Sequence, residues 1–131
     1  MTGFAIFAHG SRVESANDAV RRASSEFARS GNYPLVEACF LELGKPELTE
    51  AIGRLAERGA DRVIILPYFL TLGTHLQRDL PRIANEASNI YKSVRITIAE
   101  PLDGHPSLVG ILLDRAREAA NGGGGSESET A

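Results

Sequence analysis

The sequence predicts a three-layer α/β/α fold, with a four-stranded parallel sheet of strand order 2-1-3-4 and helices on both faces. Two observations carry this prediction. Short apolar runs alternate with stretches whose apolar residues recur at helical spacing, in the order βαβαβαβα, and such alternation builds a parallel sheet. The first run is also nearly continuous in apolar residues, as in a strand covered on both faces. Right-handed crossovers then restrict the topology, and the first strand is expected inside the sheet.

The elements follow in order. Gly3 to Ala8 reads as the first strand. Ala16, Ala19, Val20, Ala23 and Phe27 supply a helical stripe, and Gly31 a stop. Leu35 to Leu43 reads as the second strand, apolar apart from Glu37 and Glu42. Pro46 opens a second helix, where its missing N–H is harmless, with Leu48, Ala51, Ile52 and Leu55 facing inward and Gly59 ending it. Arg62 to Leu66 is the third strand. Asp79, ahead of Leu80 and Pro81, is an N-cap candidate for a third helix carrying Ile83, Ala84, Ala87, Ile90 and Tyr91. Val94, Ile96 and Ile98 alternate with polar residues, as on an edge strand with one wet face. Pro106 opens the last helix, from Ser107 to about Ala119.

Composition bounds the function. Of 131 residues, 43% are hydrophobic and 24% charged, ordinary for a soluble globular protein. Residues 1–120 are expected to form one domain, and 121–131, rich in Gly, Ser and Glu, a disordered tail. The net charge of −3 and the lack of a basic or basic-aromatic stripe argue against nucleic acid. No run reaches the ~18 apolar residues of a membrane span, and the opening residues lack the charged-then-apolar pattern of a signal peptide, so none is expected. A single cysteine, Cys39, allows neither a disulfide framework nor a thiolate metal cluster. A cytoplasmic location is the default expectation.

The polar residues at strand ends carry the functional reading. His9 closes the first strand, Glu42 the second, and His75 lies in the loop after the third. With strand order 2-1-3 these ends are neighbours, and open α/β sheets bind ligands at the carboxyl ends of their strands. Any one of the three has an ordinary structural explanation, such as a turn residue, an ion pair or a helix-start neighbour. Their convergence on one edge points to a site. Two imidazoles and a carboxylate suit a borderline divalent ion such as Co²⁺, Fe²⁺, Ni²⁺ or Zn²⁺. His105, before Pro106, reads as part of the last helix's entry turn.

The segments AHGSR, EACFLEL, VIILPYFLTLGTHLQRDLP and PLDGHPSLVGILLDR, which sit around the first three strands and at the last helix, together resemble the small class II chelatases of the CbiX/SirB type. These are the sirohydrochlorin cobaltochelatases and ferrochelatases. The resemblance covers residues 3 to about 117. It implies insertion of Co²⁺ or Fe²⁺ into sirohydrochlorin, an early tetrapyrrole of the cobalamin and sirohaem routes. It implies metal contacts from His9 and His75 with a supporting Glu42, no organic cofactor, and a homodimer, because longer relatives carry two such domains in one chain. Relatives often have an acidic residue directly after HGSR, where this chain has Val13. The histidine-rich stretch of the nickel-inserting relatives is lacking, so Ni²⁺ is less expected.

The substrate implied is a flat ring with eight carboxylates. Arg forks and free backbone N–H groups at helix starts recognise carboxylates, so Gly10, Ser11, Arg12, Gly73, Thr74 and Arg78 are the candidates for that task. Tyr68, Phe69 and Leu72, which prolong the apolar run beyond the third strand, are candidates to face the ring. A neutral imidazole can take a pyrrole proton at neutral pH. The alternative class is a non-catalytic divalent-metal carrier using the same two histidines and glutamate; it predicts binding without turnover and leaves the apolar loop unexplained. A hydrolase using Ser11 is weaker, since HGSR is not the GxSxG elbow.

Overall fold

The computed structural model describes residues 1–122; the expected tail falls outside the described residues from 123 onward. The chain forms β1 (Thr2–Ala8), α1 (Glu14–Gly31), β2 (Val36–Phe40), α2 (Leu48–Glu57), β3 (Arg62–Pro67), α3 (Thr74–Ile90), β4 (Arg95–Ile98) and α4 (Ser107–Ala120). The sheet order is β2-β1-β3-β4, as expected. Every pairing is parallel, with Ile6 opposite Ala38 on one side of β1 and Leu66 on the other. Contacts divide the chain after Pro101 into two compact units. The first holds the sheet and α1 to α3. The second, over its described residues, holds α4, which buries none of its residues. No described helix is long and apolar enough to cross a membrane.

Alternation along the strands sorts the core into two layers. Ala5, Phe7, Cys39, Val63 and Ile65 point to the side covered by α2 and α3, where they meet Leu48, Ile52, Leu55, Leu80, Ala84 and Ala87. Phe7, Ile52, Leu55, Ile65 and Leu80 are fully buried, each such side chain adding roughly 1.5–3 kcal/mol by leaving water. Ile6, Ala8 and Phe40 point the other way, to Val20 and Phe27 of α1. The Phe4 ring meets Phe27 and Tyr33 at the foot of that layer. β4 alternates exposed and half-buried residues, the wet-faced edge its sequence predicted.

Four local expectations are corrected. β2 runs from Val36 to Phe40 rather than from Leu35 to Leu43, so Glu42 stands two residues beyond the strand instead of within its carboxyl end. The second helix does not open at Pro46. Glu47 is its N-cap and exchanges hydrogen bonds with Glu50 in a capping box, which satisfies amides that proline would only have omitted. The third helix starts at Thr74 with Gly73 as N-cap, not at Asp79; Pro81 lies inside it. Asp79 instead pairs with Arg82 one turn on, and His75, expected in a loop, sits in the first turn of α3. Finally, α1 buries Asn17, Val20 and Ser24, whereas Ala16 and Ala19 face solvent. The rotated stripe is tolerated because both buried polar residues are hydrogen-bonded. Ser24 Oγ donates to the Val20 carbonyl, and Asn17 has partners in two loops.

Candidate functional site

The parallel ladder brings two loops side by side at the carboxyl rim of the sheet. Beyond the last paired residues, Leu41 N–H donates to the Ala8 carbonyl at 2.9 Å and Glu42 N–H to the His9 carbonyl at 3.1 Å. The loops thus continue the strand pairing for two further residues. His9 Nδ1 stands 4.0 Å from Glu42 Oε2, and both side chains are 58% exposed. They form an open rim pair, not a buried ion pair.

Gly10 makes the approach possible. Its φ is +95°, a region that L-residues with a Cβ avoid. A Cβ there would stand 1.7 Å from the Glu42 carbonyl oxygen. The backbone of the HGSR turn therefore lies directly against the backbone of Glu42, and only glycine leaves the room.

Asn17 is the residue that sequence patterning passed over. It is 1% exposed and hydrogen-bonded to both loops. Its Oδ1 accepts from Ser11 N–H at 2.9 Å. Its Nδ2 donates to the Ser11 carbonyl at 2.9 Å, to the Leu43 carbonyl at 2.9 Å, and weakly to Glu14 at 3.4 Å. The available signal was an amide at position i of a stripe continuing through Val20 and Ser24; read by hydrophobicity alone, that stripe drifts onto the alanines. Ser11 uses its hydroxyl to accept from Val13 N–H at 3.0 Å, which occupies it in the turn into α1. Arg12 is exposed beside it.

The apolar run after β3 divides. Tyr68 N–H donates to the Phe7 carbonyl at 2.7 Å, prolonging the ladder by one residue. Tyr68 and Leu70 then project into solvent, while Phe69 and Leu72 turn back against the core. The Phe69 ring packs by its edge on Phe7, centroids 5.7 Å apart, and on His9, at 6.2 Å. It bridges the core and the imidazole of His9. Of the three residues expected to face a ring, only Tyr68 is presented outward.

His75 is exposed on the first turn of α3, with its Nδ1 3.3 Å from Arg78 Nη2. A guanidinium has donors only, so in this contact Nδ1 is the acceptor. Among the described residues no three His, Cys, Asp or Glu side chains stand close enough to hold one metal ion together. The structure joins His9 to Glu42, and it leaves His75 engaged with Arg78. Gly73 and Thr74 stand at the exposed N-terminus of the same helix. His105 lies in the entry turn of α4, as expected, its Nδ1 accepting from Ser107 N–H at 3.0 Å; Pro106 is the helix's N-cap.

Two other features drop out of the chemistry. Cys39 is buried, its thiol directed at the Ile6 carbonyl. Burial, with a lesser push from the Glu37 charge, drives its pKa far up, so it stays an inert thiol. A groove of about 380 Å³ along the outer side of β2 is lined by Arg21, Lys45 and Arg54. Each of these cations already has carboxylate partners, in Glu14 and Asp18, Glu47 and Glu50, and Glu37 respectively.

The profile of the CbiX family matches residues 3–119. The chain is 35% identical over 119 residues to the sirohydrochlorin cobaltochelatase of Sulfolobus acidocaldarius, covering 91% of this chain and 93% of that one. It is 31% identical over 113 residues to the chloroplastic sirohydrochlorin ferrochelatase of Arabidopsis thaliana, covering 86% of this chain and half of the plant protein. The fold superposes on the CbiX protein of Marinobacter aquaeolei VT8 with a TM-score of 0.82, at 23% identity over 92% of this chain and 98% of that one. It superposes on the Bacillus subtilis subspecies spizizenii sirohydrochlorin chelatase SirB, solved with cobalt, with a TM-score of 0.78. Identity there is 25%, over 91% of this chain and 51% of SirB.

Proposed function

Because this chain belongs to the CbiX family, we propose that it inserts a divalent metal ion, Co²⁺ or Fe²⁺, into sirohydrochlorin. The observation that carries the reading is the rim pair: an imidazole and a carboxylate 4.0 Å apart, both open to solvent. Metal insertion needs an ion that is held and then given away. A closed set of four protein donors holds an ion too well. One imidazole and one carboxylate, with water in the remaining positions, grip it loosely and leave the coordination sphere open to pyrrole nitrogens.

The remaining residues serve the same step. Arg78 is drawn from His75 by a carboxylate of the macrocycle, since charged forks pair more strongly with carboxylate than with neutral imidazole. That frees His75 Nδ1, either as a second metal donor or as an acceptor for a pyrrole proton. Arg12 and the N–H groups of Gly10, Ser11, Gly73 and Thr74 surround the rim for further carboxylates, and Tyr68 offers a flat apolar face. The metal is a substrate of this reaction, and no organic cofactor takes part. Two copies of the chain pair to enclose the ring. The reading is supported by relatives of which this chain spans about half and by the exposed Val109, Ile111, Leu112 and Leu113 of α4.

The test is direct. Purified protein is mixed with sirohydrochlorin and Co²⁺ or Fe²⁺, and the visible spectrum is followed against a no-enzyme control. The parent accelerates the spectral change, and His9→Ala and His75→Ala slow it by roughly 10²–10⁴-fold, the span of a positioned acid–base or donor group. Parent-like rates in both variants would remove these histidines from the reaction. Metal binding without any acceleration by the parent would mark a carrier instead.

A further inference from the structure

We infer that Asn17 is a positioning residue for metal capture: its buried amide sets the spacing of His9 and Glu42 by clamping the two loops that carry them. This rests on the reading of His9 and Glu42 as metal donors. Neither side chain is hydrogen-bonded to Asn17. The amide holds Ser11, two residues after His9, through both N–H and carbonyl, and Leu43, one residue after Glu42, through its carbonyl. One side chain, through three hydrogen bonds, thus joins the β1–α1 and β2–α2 loops.

The geometry explains why this position holds an amide. The site is 1% exposed, so any polar backbone group left without a partner there is costly. Ser11 offers a donor and an acceptor, and Leu43 an acceptor. A carboxamide supplies the matching acceptor and two donors on one planar group. A carboxylate would set a charge against two carbonyl oxygens, and a hydroxyl is too short to reach both loops. The pairing of Glu42 N–H with the His9 carbonyl and the close fit of Gly10 against the Glu42 backbone add to the same registration. Those contacts tie the strand-proximal ends of the loops, at His9, Gly10 and Glu42, whereas Asn17 ties the residues that follow, Ser11 and Leu43. Removing the amide frees Ser11 and Leu43, the residues that carry each loop on from His9 and Glu42, and the 4.0 Å pair loses its fixed separation. A loosely held ion with few protein donors is sensitive to such a loss, because each donor must be prepaid in position.

The experiment uses the intact protein and Co²⁺ alone, titrated through its visible absorption. Variants are Asn17→Ala, Asn17→Ser, Glu42→Ala, His9→Ala, and the double variant Asn17→Ala with Glu42→Ala. Val20→Ala serves as the control: it removes packing from the same buried stripe of α1, at a residue that makes no side-chain hydrogen bond to either loop. Asn17→Ala is expected to bind Co²⁺ about tenfold more weakly, in the range seen when the support of a metal ligand is removed, and Asn17→Ser to fall between it and the parent. Val20→Ala binds like the parent despite a lower melting temperature. In the Glu42→Ala background the Asn17 effect shrinks to about twofold or less, since coupled residues are not additive. Should Asn17→Ala not fold, Asn17→Ser is read in its place. Parent-like Co²⁺ affinity in the Asn17 variants, a loss matched by Val20→Ala, or an undiminished effect in the Glu42→Ala background overturns the inference while His9→Ala still weakens binding. Parent-like binding in both His9→Ala and Glu42→Ala overturns it together with the metal-site reading.

Discussion

Replacing Gly10 by alanine separates two effects that glycine usually hides. The first is conformational. At φ +95° an alanine pays about 1–2 kcal/mol in backbone strain. The second is steric and specific to this site. The new Cβ lies 1.7 Å from the Glu42 carbonyl oxygen, and real contacts of that kind do not fall below 3.0 Å. The β2–α2 loop must therefore retreat by more than an ångström. The N–H of the displaced residue donates to the His9 carbonyl at 3.1 Å, and losing that bond removes about 1 kcal/mol more. Gly10→Ala should cost about 2–4 kcal/mol, a large share of the ~5–15 kcal/mol that holds an ordinary domain together. Gly59→Ala is the internal reference. Its φ is +106° and no atom stands within 4 Å of the added methyl, so it carries only the backbone term of about 1–2 kcal/mol. Urea unfolding of the parent and both variants gives the difference, and Co²⁺ titration reports whether the rim pair has opened. Equal destabilisation by the two substitutions, with parent-like cobalt binding in Gly10→Ala, would refute the argument that the HGSR turn abuts Glu42.

Two further outcomes test other parts of the structure. The Cys39 thiol is raised well above its ordinary 9.0 by burial, so the unfolded chain releases this proton before the native one does. Stability is therefore intact below pH 9 and falls as the pH rises beyond it, by about 1.4 kcal/mol per unit; Cys39→Ala should flatten that alkaline slope in pH-dependent unfolding curves, whatever it does to the absolute level. Phe69→Leu loses the ring contacts to Phe7 and His9 and should cost about 0.5–1.5 kcal/mol with weaker cobalt binding, whereas Tyr68→Ser, at an exposed position, should leave stability within ~0.5 kcal/mol and raise KM for sirohydrochlorin; the reverse pattern would exchange the roles of the two rings.

How much of this was legible in the sequence depends on the kind of signal. The strands of the sheet, their order and their parallel pairing follow from alternation and chain connectivity, because burial on both faces demands runs such as FAIFA and right-handed crossovers leave few topologies. His9 and Glu42 were legible for the same reason: parallel strands in adjacent positions must deliver their carboxyl ends to one rim. The start of α3 was not legible, because Asp79 and Pro81 imitate a helix entry when local preferences are read alone. Tertiary packing of Leu76 and Leu80 extends the helix back to Thr74 and carries His75 onto it.

The sequence by itself determined the layer architecture and which residues reach the rim, since both depend on periodicity along the chain. Only the tertiary structure decided the distances between those residues. The clamp of Asn17 on Leu43, the backbone contact at Gly10 and the inward turn of Phe69 onto Phe7 and His9 all join positions far apart in sequence. Hydrogen-bond satisfaction and close packing act through space, and no spacing rule along one chain records them.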